Sequence, residues 1–250
     1  MRPPDELNRR SFLVRAFLWS AALAQSWWTP STFAQTERDY FSGTDFVGKT
    51  RAGKFKQFYI NYWKPLRRIQ AEDWSLAVGG LCENPQSFTL DQLHRLPIRK
   101  QTSRLKCVEC WSAKAEWTGF HFSDLMKLCP PKPEAKGVAF HCGDAYVEHL
   151  SLVNLTHPRT LLVTGMDGAP LSHEHGFPLR VIVPFKYGYK NPKAILKIEY
   201  VSDVQFGTWS KIGPYSPDGT ILPGTDHPLD LGKTPRRIPG GEITSYQDPL

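Results

Sequence analysis

Residues 103–126, "SRLKCVECWSAKAEWTGFHFSDLM", contain the motif on which the fold assignment of this chain depends, and they place Cys107 and Cys110 three positions apart. Such a pair has three ordinary explanations: a zinc site, a thiol redox centre or a disulfide. A zinc site needs four ligands, and the sequence has no second C-x-x-C and no histidine pair at zinc-finger spacing. A redox pair belongs at the start of a helix, whereas "LKCVECW" predicts a strand through residues 105–110.

The N-terminus predicts an export signal. Paired Arg9 and Arg10 stand before a short apolar run that ends in small residues, which is the twin-arginine pattern. We therefore expect residues 1–34 to be a signal peptide, cleaved after Ala34, and the protein to be periplasmic. The apolar run is short and interrupted by polar residues, so a retained membrane anchor is the alternative. Because the twin-arginine route carries folded proteins, the signal also predicts a cofactor that is acquired before export.

The number of cysteines limits the disulfide explanation. Disulfides are common in exported proteins, but five cysteines cannot all pair. A chain that folds before export also folds while its thiols are still reduced. On composition alone, Cys107 is therefore either a buried thiol or a metal ligand.

Charge and composition indicate the class of protein. The net charge of +7 falls to +5 without the first 34 residues, which hold four arginines and two acidic residues. The basic residues are scattered and accompany no nucleic-acid-binding motif, so we do not expect nucleic-acid binding. The many aromatic residues, prolines and glycines predict a compact α+β fold with short helices.

The pattern along the chain predicts four parts. They are the signal peptide at 1–34, an aromatic and basic N-terminal arm at 35–66, one domain at 67–212, and a C-terminal tail at 213–250 that is rich in Gly and Pro. Within the domain, further strands are predicted at 74–79, 137–142, 160–165, 179–184 and 195–204. Helices are predicted after a Thr89 and Gln92 capping box, after a Ser123 cap, and within residues 151–156.

The quoted segment resembles the cofactor-cysteine segment of the sulfite oxidase superfamily of molybdopterin oxidoreductases. It is most similar to the bacterial branch that includes the periplasmic methionine sulfoxide reductase catalytic subunit. The resemblance continues through "FYINYWKP", "GVAFHCGDAYVEHL" and "THPRTLLVTGMDGAPLSHEHGFPLRVIVPFKYGYKNPKAILKIEYV", covering roughly residues 58 to 209. It implies a single domain with the sulfite oxidase molybdopterin-binding fold, which is an α+β fold of mixed sheets and short helices.

The resemblance also implies the roles of individual residues. Cys107 takes the position of the catalytic cysteine that binds molybdenum, and a thiolate is a soft ligand suited to that metal. The implied cofactor-binding residues are Asn61, Tyr62, Cys107, Cys142, His175, Arg180, Asn191, Pro192 and Lys193. In this set Lys193 and the backbone of the two residues before it cradle the phosphate of the pterin. Tyr62 stands where relatives often have His, and Cys142 where some have Thr.

The other cysteines have no implied role in the cofactor site. Cys110 stands where close relatives often have Ala or Gly, so its thiol is not expected to be a ligand. We expect Cys82, Cys110 and Cys129 to be structural.

The function implied by the resemblance is two-electron oxo transfer by a molybdenum-molybdopterin oxidoreductase, on a small or sulfoxide-type substrate. "VECWSAK" lacks the arginine-rich run of sulfite oxidases, so sulfite is not the expected substrate. No haem-attachment motif occurs, so electrons should come from a membrane haem subunit or a soluble cytochrome. The length leaves no room for the superfamily's dimerisation domain, so we expect a monomer. The alternatives are a non-catalytic exported binding protein of the same fold and a thiol-disulfide oxidoreductase that uses Cys107 and Cys110.

Overall fold

The computed structural model describes a defined part of the chain: residues 40–41, 48–51, 57–108, 112–213, 215–221, 225–226 and 236–237. The predicted signal peptide at 1–34, Cys110, most of the predicted arm and much of the predicted tail lie outside the described residues. Both large sheets belong to the compact unit Phe41–Leu250. Within the described residues, no helix is long and apolar enough to cross a membrane.

The described elements are short strands with four short α-helices among them. The strands are β1 (Tyr40–Phe41), β2 (Gly48–Arg51), β3 (Gln57–Ile60), β4 (Leu66–Arg67), β5 (Ser75–Gly80), β6 (Gln86–Thr89), β7 (Arg99–Lys106), β8 (Ser112–His121), β9 (Gly137–Cys142), β10 (Val147–Ser151), β11 (Leu161–Met166), β12 (Ala169–Pro170), β13 (Arg180–Ile182), β14 (Ile195–Val201), β15 (Thr225–Asp226) and β16 (Arg236–Arg237). The helices are α1 (Leu90–Leu93), α2 (Phe122–Leu128), α3 (Leu152–Leu155) and α4 (Thr208–Ile212), and a 3₁₀ turn spans Gly188–Lys190. This mixture of sheets and short helices confirms the predicted α+β class.

Two five-stranded sheets form the framework. The first has the order β10-β9-β14-β5-β6, in which β14 runs parallel to β5 and antiparallel to β9. The second has the order β12-β11-β8-β7, with β13 paired to β11. Strand β9, "GVAFHC", lies between two neighbours in the interior of the first sheet, which explains why nearly all of its residues are apolar and buried.

The main core packs helix α2 against the first sheet. Phe122 at the start of α2 meets Phe140 of β9 and Tyr200 of β14 edge to face, at centroid distances of 6.3 and 6.2 Å. Each fully buried ring of this size stabilises the fold by about 2 kcal/mol. Cys82 and Cys129 are buried in the same core, and burial raises the pKa of the Cys129 thiol to about 11.

A second core lies under the second sheet. Trp117 of β8 is completely buried there, its indole N–H donates to the Ser103 carbonyl at 3.2 Å, and its ring meets Phe58 of β3 edge to face at 5.9 Å. Because Phe58 belongs to the predicted N-terminal arm, this arm contributes to the core as well as covering it.

Some predictions about individual strands and helices are confirmed, and others are wrong. The Thr89 capping box is confirmed, with the Thr89 and Gln92 side chains each bonded to the other residue's backbone N–H. The predicted strand at 137–142 is β9 itself. The predicted Ser123 cap is wrong, because β8 runs directly into α2 and His121 takes the N-cap position. The predicted strand through 105–110 is also wrong: β7 ends at Lys106, which pairs with Ser112 of β8.

Candidate functional site

Most of the predicted site residues line one cavity. It encloses about 1020 Å³ of empty space when its open mouth is included, so the cavity is open to solvent. Eight of the nine predicted residues line it, namely Asn61, Tyr62, Cys107, His175, Arg180, Asn191, Pro192 and Lys193. They come from the segment after β3, the loop after β7, and the stretch between β12 and β14, so the fold joins segments that are distant in the sequence.

Cys107 reaches the cavity because the second sheet ends before it. The last pair of β7 and β8 joins Lys106 to Ser112, so Cys107 lies just beyond the last paired residue of β7. The Cys107 side chain is half-buried and lines the cavity wall. A thiolate at a loop position beside a cavity is accessible to a soft metal ion, whereas a residue within the strand pairing would be less adaptable.

Arg180 places a buried positive charge at the cavity. It is the first residue of β13 and is 4% exposed, its guanidinium carbon lies 5.0 Å from the centre of the Trp117 ring, and its Nη1 donates to the His175 carbonyl at 2.9 Å. Burial lowers its pKa to about 10, so it stays charged at neutral pH. Its Nε is buried and has no hydrogen-bond partner among the described residues.

Lys193 supplies the second cation. Its Nζ donates to the Glu174 carbonyl at 3.1 Å and lies 3.8 Å from the centre of the Tyr62 ring. Burial, followed by the charge of Arg180, lowers the pKa of Lys193 to about 7. A bound anion would reverse this shift, because it would favour the charged form of the ammonium.

His175 is neutral in this environment. Its ring is buried and meets Phe58 edge to face at 5.3 Å. Burial, then Arg180 and Lys193, lower the pKa of His175 to about 4. A neutral imidazole offers one donor and one acceptor, so His175 suits a polar ring better than it suits a phosphate.

Asn61 and Tyr62, from the segment after β3, also line the cavity. The Asn61 Oδ1 atom is buried and has no hydrogen-bond partner within the described part of the chain. The Tyr62 hydroxyl donates to the His173 carbonyl, and burial raises the pKa of this hydroxyl well above its ordinary value. Tyr62 therefore serves as a neutral support beneath the Lys193 ammonium.

Asn191 and Pro192 shape the turn that carries Lys193. The Asn191 Oδ1 accepts from the Val183 N–H at 2.6 Å, and its Nδ2 donates to the Tyr187 carbonyl at 2.9 Å. The Pro192 carbonyl accepts from the Val181 N–H at 2.9 Å. The side chain of Asn191 thus holds its own loop.

Cys142 is the predicted residue that the structure does not place on the cavity surface. It ends β9, is 6% exposed and lies behind the Lys193 turn, where its sulfur accepts a hydrogen bond from the Lys193 backbone. Burial raises the pKa of this thiol well above its ordinary value. The geometry gives Cys142 a supporting position, and its cofactor contact stays a prediction.

Sequence reasoning missed a group of aromatic residues that also line the cavity, called the aromatic wall here. The wall consists of Trp63, Tyr146, Tyr189, Trp209 and Tyr215. Successive rings touch: Trp63 meets Trp209 at 5.2 Å, Trp209 meets Tyr215 at 5.4 Å, and Tyr215 meets Tyr189 at 5.3 Å. The high aromatic content was the available signal, but no spacing in the sequence joins these five positions, and Tyr215 lies in the predicted tail.

Two acidic residues also line the cavity without having been predicted. Asp144 accepts from the Trp63 N–H at 2.7 Å and from the Tyr146 N–H at 3.1 Å, so it ties two residues of the aromatic wall together. Burial raises the pKa of its carboxyl group. Glu174 lies beside Lys193 and offers that lysine its backbone carbonyl.

These groups fit a molybdopterin. Its polar ring system presents donors and acceptors, which the unsatisfied Asn61 Oδ1 and Arg180 Nε would complement. Its phosphate would complement the cations of Arg180 and Lys193. The Cys107 side chain on the same cavity is the one predicted to bind the metal.

Comparisons with known proteins point in the same direction. Residues 63–209 match the model of a family described as the oxidoreductase molybdopterin binding domain. The protein-methionine-sulfoxide reductase catalytic subunit MsrP of Xanthomonas axonopodis pv. citri is 35% identical over 195 residues, and the match covers 71% of this chain and 61% of that protein. The MsrP catalytic subunit of Campylobacter jejuni is 29% identical over 252 residues, with 90% and 85% covered. The chain therefore spans about 61% of the length of the Xanthomonas relative.

The fold also has a counterpart among solved structures. The crystal structure of the sulfane dehydrogenase SoxCD from Paracoccus pantotrophus superposes with a TM-score of 0.53 at 16% identity, over 71% of this chain and 54% of that chain. At this identity the likeness concerns the fold alone. This likeness confirms the predicted fold, and the family match over more than half of the chain confirms the predicted superfamily and molybdopterin cofactor.

Proposed function

Because the chain belongs to the family of oxidoreductase molybdopterin binding domains, we propose that it is a molybdenum enzyme that reduces a sulfoxide to a thioether. The observation that carries the proposal is the single cavity on which Cys107, Asn61, His175, Arg180 and Lys193 converge. Relatives that match most of the domain are named as methionine sulfoxide reductase subunits, which supports sulfur as the reacting atom. The reaction consumes two electrons and two protons and releases water.

The residues of the cavity would divide the work of holding the cofactor. Cys107 would bind the metal, Asn61 and His175 would bind the polar ring system, and Arg180 and Lys193 would neutralise the phosphate. When bound, the cofactor supplies a metal that exchanges an oxygen atom and two electrons. The chain contributes a fixed thiolate position and a set of oriented donors.

The aromatic wall supports an uncharged substrate. Trp63, Trp209 and Tyr215 offer ring faces and edges, which favour thioether and methyl groups, and none of these side chains carries a positive charge. A sulfite dianion would instead need cations on this side. The wall therefore favours a sulfoxide with apolar substituents over an oxyanion.

Export and electron supply complete the proposal. We propose that residues 1–34 direct the folded enzyme through the twin-arginine route to the periplasm, on the strength of Arg9 and Arg10 and the apolar run that follows. Its electrons would come from a membrane haem subunit or a soluble cytochrome, and the enzyme itself would be a monomer.

The proposal is tested by expressing the full chain in a host that makes molybdopterin. Metal and pterin are quantified in the purified wild type, Cys107→Ser and Cys110→Ser, and sulfoxide reduction is assayed with a reduced viologen as electron donor. We expect about one molybdenum and one pterin per wild-type chain. We expect loss of activity and of bound molybdenum in Cys107→Ser, and retention of both in Cys110→Ser.

Three outcomes would contradict the proposal. Full molybdenum in the Cys107→Ser protein would refute the ligand assignment. A folded wild-type protein with neither metal nor pterin would favour the binding-protein function, and dithiol chemistry lost in both variants would favour the thiol-disulfide oxidoreductase.

A further inference from the structure

A buried ion pair lies directly behind the aromatic wall. Glu148 of β10 is 0% exposed, Lys190 at the end of the 3₁₀ turn is 2% exposed, and the Lys190 ammonium contacts the Glu148 Oε1 atom. Lys190 Nζ also donates to the His149 carbonyl at 2.8 Å and to the Pro217 carbonyl at 2.9 Å. The ammonium has three donors, and these three acceptors use all of them.

The pair is connected to two rings of the cavity. The Tyr146 hydroxyl lies 2.9 Å from Glu148 Oε2 and 2.6 Å from the Tyr189 carbonyl, so it can donate to either. The Tyr189 hydroxyl in turn donates to the Ser216 carbonyl at 2.7 Å, one residue from Tyr215. Neither Glu148 nor Lys190 is among the described residues that line the cavity.

A third connection runs through the start of α4. Gly207 is the N-cap of this helix, and its φ of −69° is accessible to any residue. A Cβ at this position would nevertheless lie 2.3 Å from both carboxylate oxygens of Glu148. Trp209 of the aromatic wall follows two residues later. The Glu148 carboxylate therefore lies where the segments that supply Tyr146 and Trp209 meet.

We propose that Glu148 and Lys190 are positioning residues for the aromatic wall, and that they determine how tightly the substrate binds without touching it. Removal of the Lys190 ammonium would leave a buried carboxylate without its counter-charge, and two carbonyls without this donor. These groups would move to regain hydrogen bonds, and Tyr146, Tyr189 and the two residues that follow Tyr215 would move with them. The inference rests on the proposed function, because it concerns the substrate side of that same site.

The test compares two buried lysines in the cofactor-loaded enzyme. Lys190→Met removes the pair. Lys186→Met is the matched control, since Lys186 is 3% exposed and binds the same C-terminal segment through Asp218 at 2.6 Å and Thr220 at 2.7 Å, without a side-chain bond to the cavity. The probe is methyl p-tolyl sulfoxide, with KM, kcat and molybdenum per chain measured for each protein.

In Lys190→Met we expect KM to rise at least about fivefold, with kcat and molybdenum content within about twofold of the wild type. In Lys186→Met we expect KM to stay within about twofold of the wild type. Gly207→Ala and Glu148→Gln give a second approach if Lys190→Met fails to fold, and Gly207→Ala should raise KM because it displaces the carboxylate. An unchanged KM in the loaded Lys190 or Gly207 variants, or an equal rise in Lys186→Met, would overturn the inference.

Failure of the proposed function would look different. In that case the loaded wild type itself does not reduce the sulfoxide, and hydrogen exchange decides the inference instead. Faster amide exchange of residues 145–147 and 207–213 in Lys190→Met than in Lys186→Met would support the positioning role, and equal exchange in the two variants would refute it.

Discussion

The Lys193 ammonium is held in the cavity at a cost to the fold, which makes Lys193→Met a stabilising substitution in the cofactor-free protein. Burial lowers the pKa of Lys193 from 10.5 to about 7. At about 1.4 kcal/mol per pKa unit, this shift corresponds to an upper bound of about 5 kcal/mol. Because the side chain is partly accessible from the open cavity, we expect about 2 kcal/mol in practice.

The pH dependence has a definite sign. The unfolded chain binds a proton at this lysine up to pH 10.5, whereas the folded protein releases it near pH 7. Between these values the unfolded state binds more protons, so the contribution of Lys193 to the free energy of unfolding becomes less unfavourable as the pH rises. The cost is complete below pH 7, and the advantage of Lys193→Met should therefore be largest at pH 6 and small at pH 10.

The assay is urea denaturation of protein from a host that cannot make molybdopterin, at pH 6 and pH 9.5. Lys197→Met is the control, because Lys197 is 45% exposed and carries no comparable burial cost. In cofactor-loaded protein the order should reverse, since the variant keeps Arg180 but lacks the second cation for the phosphate. A cofactor-free Lys193→Met protein that is less stable than the wild type at pH 6, or equally shifted at both pH values, would refute the reasoning.

Two further substitutions test Arg180 and Tyr62, which line the same cavity. Arg180→Lys keeps the charge but loses the planar guanidinium that bonds the His175 carbonyl and contacts Trp117. We expect the amount of pterin per chain, measured by fluorescence after denaturation, to fall at least about fivefold. An unchanged amount of pterin would contradict a role for the guanidinium. Tyr62→Phe keeps the ring beneath Lys193 and loses the hydrogen bond of the hydroxyl. We expect the free energy of unfolding in urea to fall by about 1 kcal/mol and the pterin content to stay unchanged. A loss of pterin would show that the hydroxyl itself binds the cofactor.

The sequence by itself determined the features that depend on neighbouring residues. The Thr89 capping box closes within one turn of α1, and the continuous apolar run of β9 specifies an interior strand wherever that strand lies. The superfamily motif around Cys107 allowed the cofactor residues to be named before any geometry was available. Such signals can be read locally because their physical causes, hydrogen bonds between near neighbours and burial of both faces of a strand, act over short stretches of chain.

The tertiary structure decided what depends on residues that are distant in the sequence. Strand propensity extended β7 through Cys107, but the pairing of Lys106 with Ser112 ends the ladder and makes the cysteine part of a loop on the cavity. Tyr215 belonged to a predicted tail, yet packing against Trp209 and Tyr189 makes it part of the aromatic wall. Register and packing are set by contacts across the whole domain, and only the folded chain brings those contacts together.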